Sequence, residues 1–324
     1  MSLPDAPHIP VLLTEVLEAL SPKDGGTYVD GTFGAGGYSR AVLNAAKDSL
    51  VYAIDRDPSA IITAENLAKT YPGRLIPVRG CFGDMDKLLT ETCPDGVDGI
   101  MLDIGVSSMQ IDDGARGFSF QKDGALDMRM DPEHGESAAD LVNNLEEEEL
   151  ANLLYNYGDE RKSRRIARRI VEARAEQPIE TTAALAAIIR RALPPKRGDK
   201  IDPSTRSFQA LRIAVNDELG ELERGLIAAA KILKPGGILA VVTFHSLEDR
   251  IVKNFFRTHA APKTHVSRYA PSGRAAEAEE EANAFPFRLL QRKPETASDA
   301  EIKCNPRSRS ANLRWAIRTE KEWQ

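Results

Sequence analysis

The chain has 324 residues, of which 42% are hydrophobic and 28% charged, and its net charge of −6 argues against a uniformly basic nucleic-acid binder. No apolar run reaches the about 18 residues of a membrane helix, and the amino terminus lacks the basic and apolar segments of a signal peptide. The three cysteines and five histidines lack metal-ligand spacing, so we expect a cytoplasmic protein with reduced thiols, no membrane segment and no metal site.

Strand-like and helix-like segments alternate along the first third of the chain. The apolar runs that are typical of buried strands lie at 27–33, 49–57, 75–82 and 97–105. Helical spacing follows the first three of these runs, at 38–46, 58–71 and 83–91. Because strands that alternate with helices form parallel sheets, this part of the sequence predicts an α/β fold with helices on both faces of a mostly parallel sheet.

The alternation stops after residue 105. Up to about residue 210 the sequence has no convincing strand, but several segments with helical apolar spacing, among them "SAADLVNNLEEEELANLLYNYG" and "ERKSRRIARRIVEARAEQ". We therefore expect one α/β domain formed by residues 1–111 and 211–324, interrupted by an all-helical inserted domain at 112–210.

The alternating pattern returns in the last third. Residues 207–233 predict one long helix or two short ones, "PGG" at 235–237 predicts a turn, and 238–246 predicts a fifth strand. A helix is expected at 247–259 and a flexible polar loop at 262–284. The segments at 287–294 and 311–320 are typical of a closing antiparallel pair of strands.

The first strand runs into a glycine-rich loop, "YVDGTFGAGGYS", at 28–39. Glycines between a strand and a helix let a ligand approach bare backbone, and Asp55, 18 residues after Gly37, is placed to accept hydrogen bonds from a ribose diol. A dinucleotide fingerprint would have glycine where Ser39 stands. Asp30, just before the loop, suits an ammonium group, so the pattern favours S-adenosylmethionine over a dinucleotide.

Two further residues lie at predicted strand ends, where doubly wound sheets bind their ligands. Phe82 follows the third strand and is expected either to pack on an adenine ring or to belong to the core. Asp103 ends the fourth strand and is expected to point into the same crevice, near the methyl group that is transferred.

The motifs, in this order, resemble those of the ribosomal RNA small-subunit methyltransferase H (MraW) family over nearly the whole chain. They are "HIPVLLTEVLEAL" (8–20), "YVDGTFGAGGYS" (28–39), "AIDRDP" (53–58), "DGIMLDIGVSSMQIDD" (98–113), "RGFSFQKDGALDMRMD" (116–131), "STRSFQALRIAVNDEL" (204–219), "TFHSLEDRIVK" (243–253) and "NPRSRSANLR" (305–314). The resemblance implies a Rossmann-like class I methyltransferase fold with a helical insert for substrate recognition.

The resemblance also implies the reaction, which is methyl transfer from S-adenosylmethionine to the N4 amine of a cytidine in the decoding region of 16S ribosomal RNA. The donor-binding positions that it implies are Gly36, Gly37, Tyr38, Asp55, Phe82, Asp103 and Gln110, with Asp103 also catalytic. The family usually has histidine where this chain has Tyr38, so a side-chain role at that position is open while the backbone contacts of the loop are retained.

The expected partner is 16S rRNA within the small ribosomal subunit, and the chain is a monomer or a homodimer. His245 and Ser246 are expected to contact the target base, and Arg307, Arg309 and Arg314 to contact phosphates. For His245 an internally hydrogen-bonded histidine is the alternative, and we expect Glu248, Asp249 and Arg250 to be a helix start with an ion pair. The basic segment 161–174 either contacts RNA or pairs with the acidic "LEEEEL" at 145–150.

Three rival functions stay open on the residues themselves. One is a methyltransferase with another nucleic acid or a protein as acceptor, and the second is an assembly factor that binds the donor or RNA without turnover. The third is a dehydrogenase, which would prefer a nicotinamide cofactor.

Overall fold

The computed structural model describes residues 10–194, 202–261 and 284–323. The chain divides into two compact units, of which the first comprises residues 1–105 and 219–324 and the second comprises residues 106–218. The sequence analysis expected an insert at 112–210, and the contacts within the chain extend the helical unit beyond both of those limits. The assignment of substrate recognition to this unit stays a prediction.

The first unit is built on a nine-stranded sheet in the order β3-β2-β1-β4-β5-β9-β7-β6, with β8 paired to β9. The strands are β1 Thr27–Asp30, β2 Leu50–Asp55, β3 Leu75–Arg79, β4 Val97–Asp103, β5 Leu233–Thr243, β6 Ala260–Ala261, β7 Phe287–Arg288, β8 Glu295–Thr296 and β9 Asn312–Arg318. β1 to β5 are mutually parallel, whereas β9 is antiparallel to β5, β7 and β8. This is a mostly parallel, Rossmann-like sheet, as the sequence predicts.

Helices flank this sheet among the described residues of the first unit. They are α1 Leu13–Leu20, α2 Gly37–Ala45, α3 Pro58–Ala68, α4 Met85–Leu88, α11 Glu218–Ile232, α12 Ser246–His259 and α13 Asp299–Cys304, with a 3-10 turn at Phe82–Asp84. One of them, α11, begins at Glu218, the last residue of the second unit. Helix α3 begins as its sequence suggests, because Asp57 accepts a hydrogen bond from the Ser59 amide and Pro58 occupies the first turn.

Both faces of the sheet are covered by helices. Successive residues of a strand point to opposite faces, and in β4 Ile100 and Leu102 join one apolar cluster while Met101 joins the other. The first cluster also contains residues of α4, α11 and α12, and the second contains residues of α1, α2 and α3. The near-continuous apolar sequence of these strands is explained by burial on both sides.

The turn predicted at 235–237 falls inside the bounds of β5, Leu233–Thr243, as an unpaired stretch. The ladder with β4 passes from Val97↔Leu233 directly to Gly99↔Ile238, and the ladder with β9 begins at Ile238, so residues 234–237 pair with neither strand. Gly236 has φ +81 and open space around the position of a Cβ atom. Gly236 supplies the left-handed backbone of this unpaired stretch, so the sequence pattern located the irregularity although the strand bounds include it.

The closing antiparallel pair is present, but its arrangement differs from the simple hairpin that the two segments suggest. β9 pairs along its length with β5, from Ile238↔Ile317 to Thr243↔Asn312. The segment at 287–294 contributes only the two residues of β7. Helix α13 and the following 3-10 turn at Pro306–Ser310 are not indicated by the sequence pattern.

The second unit is helical, as predicted. Its helices are α5 Ser108–Asp112, α6 Ala138–Asn144, α7 Glu147–Gly158, α8 Ser163–Glu176, α9 Thr182–Ala192 and α10 Ser204–Asn216. A separate apolar cluster, with members such as Leu154, Ile170 and Leu211, fills this unit. Between residues 106 and 218, only the isolated bridge between Ala125 and Thr181 is strand-like among the described residues.

Two expectations from the sequence remain, one about a flexible loop and one about membrane helices. The flexible loop predicted at 262–284 lies, up to residue 283, outside the described residues. Within the described ranges, none of the helices combines the length and the apolar character needed to cross a membrane.

Candidate functional site

The glycine loop joins β1 to α2 and is organised by Asp30. This carboxylate is fully buried at the end of β1, and its Oδ2 accepts hydrogen bonds from the Ser39 amide at 3.2 Å and from the Ser39 hydroxyl at 2.7 Å. Its Oδ1 accepts a further hydrogen bond from the Thr32 amide. Burial raises the pKa of Asp30 to about 6, against the opposing effect of these hydrogen bonds. The acid that the sequence suggested for a ligand ammonium is thus used to hold the loop.

The two glycines at the start of α2 are required by close packing. Gly36 has φ +76, and a Cβ atom there would lie 2.5 Å from the ring of Phe33. Gly37 faces Pro10, and its Cβ atom would lie 2.1 Å from Cγ of that proline. Larger residues at either position would displace the loop, so the backbone of the loop stays bare.

Asp55 connects the end of β2 to this loop. Its Oδ2 accepts a hydrogen bond from the Gly34 amide at 2.8 Å, and its Oδ1 accepts one from the Asp57 amide at 2.9 Å. Burial raises the pKa of Asp55 to about 6. Each carboxylate oxygen can accept a second hydrogen bond, so a ribose diol could still be bound while the loop is held.

Asp103 ends β4 and is the least satisfied acid of the group. Its amide donates to the Thr32 hydroxyl at 2.7 Å, but its Oδ1 is buried and has no hydrogen-bond partner among the described residues. Burial, followed by the charges of Asp30 and Glu248, raises the pKa of Asp103 to about 8. A buried acceptor without a donor is costly, and a cation or an N–H donor bound at this point would remove that cost.

Tyr38, which stands where the family usually has histidine, has a defined role in the structure. Its ring is buried, and its hydroxyl donates a hydrogen bond to the carbonyl oxygen of Val11. Burial, followed by the charge of Asp103, raises the pKa of Tyr38 well above its usual value. On the other side of the same segment the Leu12 amide donates to Oε1 of Glu301 at 2.8 Å. Tyr38 and Glu301 therefore hold residues 10–12 against the glycine loop.

Phe82 follows β3, as predicted, but the strand ends at Arg79 and Phe82 begins the 3-10 turn after it, with a half-buried ring. The ring packs so closely on Gly225 of α11 that a Cβ atom there would lie 2.5 Å from it. Backbone groups of Phe82 and Gly83 hydrogen-bond to Glu221, whose Oε2 also lies 2.7 Å from Nη1 of Arg56. Packing in the core, the alternative to an adenine contact, is thus part of the role of Phe82.

Gln110 belongs to the second unit. There it forms a capping box with Ser107: its Oε1 accepts from the Ser107 amide at 3.0 Å, and its own amide donates to the Ser107 hydroxyl at 3.2 Å. The side chain is buried. Its contact with a donor stays a prediction.

The segment after β5 is a helix start, as expected for Glu248 and its neighbours. His245 is the N-cap of α12, and its Nδ1 accepts a hydrogen bond from the Glu248 amide at 3.4 Å. Oε2 of Glu248 accepts from the Phe244 amide at 2.8 Å, and Oε1 lies 2.7 Å from Nε2 of His245. Both ring nitrogens of His245 therefore face Glu248, which favours the internally bonded alternative for this residue.

The arginines near the carboxyl terminus fall into two groups. Arg314 forms a double hydrogen bond with Asp249, at 2.7 and 3.1 Å, so its guanidinium is committed to the ion pair at the start of α12. Arg307 and Arg309 lie in the 3-10 turn and are exposed. A phosphate contact by these two arginines, and a base contact by Ser246, stay predictions.

The sheet brings several predicted residues to one edge. β2, β1 and β4 are adjacent and parallel, so Asp55, the glycine loop and Asp103 meet where these strands end. The sequence analysis did not identify Thr32, Glu221 and Glu301, which hold Asp103, Phe82 and residues 10–12. No local pattern marks them, because each acts on residues that are distant in the chain.

The chemistry of this edge suits a donor with a positive charge and a ribose. The orphaned Oδ1 of Asp103 is an acceptor for an ammonium group, and the half-buried carboxylate of Asp55 is an acceptor for a diol. The residues present therefore fit S-adenosylmethionine.

Comparisons with known proteins agree with this site. A family model described as the MraW methylase family matches residues 5–319. A ribosomal RNA small subunit methyltransferase H from Granulibacter bethesdensis is 59% identical over 307 residues, which cover 95% of this chain and 90% of that protein. A protein of the same name from Paramagnetospirillum magneticum is 56% identical over 313 residues, with coverage of 97% and 96%.

Among solved structures, an rRNA methylase from Streptococcus thermophilus superposes with a TM-score of 0.41 and 9% identity, over 98% of this chain and 100% of that chain. This similarity is too low to carry an argument of its own. The family match extends over nearly the whole chain, and the two relatives exceed half identity over almost its full length. The chain therefore belongs to the MraW methylase family.

Proposed function

We propose that the chain is an enzyme that transfers a methyl group from S-adenosylmethionine to the N4 amine of a cytidine in the decoding region of 16S ribosomal RNA. The names of the two relatives support small-subunit ribosomal RNA as the substrate. The substrate is the RNA within the small ribosomal subunit, and the reaction takes place in the cytoplasm. The structural observation that supports this proposal most directly is the buried, unbonded Oδ1 of Asp103 at the ends of the strands.

The residues assigned to the donor lie on several elements. The bare backbone at Gly36 and Gly37 takes the part of the donor nearest α2, and Asp55 accepts hydrogen bonds from the ribose. Phe82, Asp103 and Gln110 complete the assignment. S-adenosylmethionine, when bound, supplies an electrophilic methyl group on a positively charged sulfur.

The chain has to make a weak nucleophile react. The lone pair of the cytosine N4 amine is delocalised into the ring, and a hydrogen bond accepted from the amine favours a more pyramidal nitrogen. Asp103 is assigned to this hydrogen bond or to the amine of the donor, and a carboxylate is the suitable acceptor in both positions. Because Asp103 is held at the end of a buried strand, its hydrogen bond to the cytosine N4 amine also orients that amine for in-line attack.

The helical unit at 106–218 is assigned to recognition of the RNA. Arg307 and Arg309 are exposed and are assigned to phosphates, whereas His245 is engaged with Glu248 and contributes mainly by shaping the start of α12. The target cytidine is in a loop or is flipped from its stack, because a stacked base cannot reach a site at a sheet edge.

The test is a methylation assay with labelled donor and small ribosomal subunits from cells that lack this gene. We expect one N4-methylated cytidine, identified by mass spectrometry of the nucleosides. Asp103→Ala and the isosteric Asp103→Asn should abolish transfer without unfolding the protein. Asp95→Ala is the matched control, since Asp95 is an exposed carboxylate before the opposite end of β4. Full activity of both Asp103 variants would contradict the assignment of this residue.

Transfer to another acceptor would contradict the proposed substrate and leave the donor site intact. The wild-type protein could bind the donor and yet transfer no methyl group to subunits, to other RNA or to protein. That result would favour the rival function of an assembly factor.

A further inference from the structure

One end of the helical unit contains the starts of two helices, α8 and α10, and the ends of two others, α7 and α9. Gly158, the last residue of α7, packs against the start of α10, where a Cβ atom on it would lie 2.5 Å from the carbonyl oxygen of Arg206. Arg190 of α9 forms an ion pair with Asp202, just before α10, with 2.8 Å between Nη2 and Oδ2. Helix α8 begins at Ser163, directly after the turn that follows Gly158. These contacts bring the end of α9 and the starts of α8 and α10 together.

This end of the unit carries exposed cations without ion-pair partners among the described residues. They are Arg161, Lys162, Arg165, Arg191 and Arg206, which we call the basic end. Farther along α8 the charges are compensated, since Arg169 lies 2.7 Å from Glu172 and Arg168 lies 3.7 Å from Glu147. Asp159, in the turn before α8, is an exposed acid beside the basic end. The predicted pairing with the acidic segment is present at Arg168, whereas Arg169 pairs within α8, and neither pair involves the cations at the start of the helix.

The positions of Lys162 and Arg165 do not stabilise helix α8. The amino terminus of a helix carries a partial positive charge, which stabilises acids and destabilises bases in the first turn. Helix α7 follows this rule with Glu147, Glu148 and Glu149. Helix α8 does the opposite, with Lys162 as its N-cap, Arg165 in its first turn and no acid there. Because these side chains weaken the helix that carries them, their presence indicates a role outside the fold.

An exposed aromatic side chain adjoins the basic end. Tyr155 of α7 is 57% exposed and is one of few large apolar side chains on the described surface. It lies one helical turn from Asn152, whose side-chain oxygen accepts a hydrogen bond from Arg164 at 2.7 Å. The ring is therefore on the side of α7 that borders the start of α8.

We infer that the basic end and Tyr155 form a docking surface for single-stranded RNA, in which the five cations contact phosphates and Tyr155 stacks on an unpaired base. Exposed bases in single strands are recognised by stacking on aromatic rings beside cations that follow the backbone. The net positive charge of the surface in an acidic protein is complementary to this polyanion. The inference rests on the proposed function, and it adds where the helical unit holds the RNA.

The test measures RNA affinity by fluorescence anisotropy with the full-length protein, without donor. The probes are a labelled single-stranded fragment of the decoding region and an unrelated single strand of equal length. We expect Arg161→Ala combined with Arg165→Ala to weaken the binding of both probes by about tenfold at 0.1 M salt. Arg168→Ala combined with Arg169→Ala is the matched control for charge, because it removes two cations with acidic partners from the same helix. Its effect should be much smaller.

The salt dependence and the aromatic variant provide independent readouts. The slope of log affinity against log salt should become shallower by about 0.7 for each phosphate that the variant no longer neutralises. Tyr155→Ala should weaken binding by about tenfold with an unchanged slope, and Tyr155→Phe should bind as wild type. An unchanged affinity in the variant that lacks Arg161 and Arg165, or an equal decrease in the control that lacks Arg168 and Arg169, would overturn the inference.

Folding and catalysis are followed in the same variants. Because Arg165 opposes the helix dipole, the double variant should unfold at the same urea concentration as wild type or a higher one, whereas a structural role would lower it. In the methylation assay KM for the subunit should rise while kcat and donor affinity are retained. If the wild type transfers no methyl group to any RNA, the proposed function fails, and the anisotropy data still decide the docking surface. Loss of subunit binding with unchanged RNA affinity would assign the surface to a ribosomal protein and overturn the inference.

Discussion

At the scale of single residues, Asp103 differs from the other acids at the ends of the strands. Asp30 and Asp55 accept hydrogen bonds from nearby amides on both oxygens, whereas Oδ1 of Asp103 is buried and unbonded. The pKa follows the same order, with about 6 for Asp30 and Asp55 and about 8 for Asp103. The ligand-free protein thus holds Asp103 largely protonated at pH 7.

This pKa leads to a prediction for donor binding. A cationic donor binds the ionised form of Asp103 more tightly, so binding releases a proton below the pKa of about 8. Donor affinity should therefore rise from pH 6.5 to pH 8, by up to about tenfold per pH unit, and level off above. Calorimetric titration of wild type and Asp103→Asn measures this, and the variant should show a much flatter profile. Equal profiles for the two proteins would contradict the assignment of Asp103 to the amine of the donor.

Tyr38 shows how a change of residue type is accommodated. Its hydroxyl has a partner in the Val11 carbonyl, and removing the hydroxyl leaves that carbonyl without its donor. Tyr38→Phe should lower the free energy of unfolding by about 1–2 kcal/mol, as measured by urea denaturation. Donor affinity should change little, because the backbone of the loop is retained. A loss of donor affinity as large as that of Asp103→Ala would show that the hydroxyl contacts the donor, and Tyr38→His tests the usual residue of the family.

At the scale of elements, the loop between β1 and α2 depends on close packing as well as on backbone freedom. Gly36 and Gly73 separate the two effects, because they have nearly the same φ, +76 and +72, but only Gly36 has neighbours within reach of a Cβ atom. Gly73→Ala should cost about 1 kcal/mol for the left-handed backbone alone. Gly36→Ala should cost clearly more and also weaken donor binding, because Phe33 must move. Urea denaturation and donor titration measure both effects, and equal costs would contradict the packing argument.

Helix α12 shows a second use of local sequence. His245 and Glu248 form a capping box at the start of this helix, and Glu248 also accepts hydrogen bonds from the Phe244 and His245 amides. The string "TFHSLEDR" is therefore explained in large part by the turn from β5 into α12. The ion pair between Asp249 and Arg314 then joins the helix to β9.

At the scale of the whole molecule, the two units have separate apolar cores. The cluster of the helical unit contains only residues between Phe118 and Val215. We therefore expect a fragment of residues 106–218 to fold by itself, with helical circular dichroism and a cooperative thermal transition. Leu154→Ala in the same fragment is the control that the transition reports this core. Leu154 is fully buried, and its truncation should lower the free energy of unfolding by about 2–5 kcal/mol. A fragment that is unfolded at all temperatures would show that this core needs the first unit.

Much of the fold was predictable because it depends on short-range periodicity. β1 to β4 and the helices between them follow the apolar pattern to within a few residues. The pairing of β9 with β5 depends on residues about 75 positions apart, which no local window contains. β5 begins before the predicted turn because Leu233 pairs with Val97 on the far side of the unpaired residues 234–237, and no local window contains that pair.

The sequence by itself determined the parallel sheet, the helical insert, the glycine loop and the acids at the strand ends, because each is encoded by residue types at close spacing. Only the tertiary structure decided how those acids are used. In the folded chain Asp30 accepts a hydrogen bond from the Ser39 hydroxyl, and the Tyr38 hydroxyl donates one to the Val11 carbonyl. Oδ1 of Asp103 has no hydrogen-bond partner among the described residues. The tertiary structure also separated the paired cations of α8 from those of the basic end. These outcomes depend on which distant groups lie within hydrogen-bond distance, and the folded backbone alone determines that.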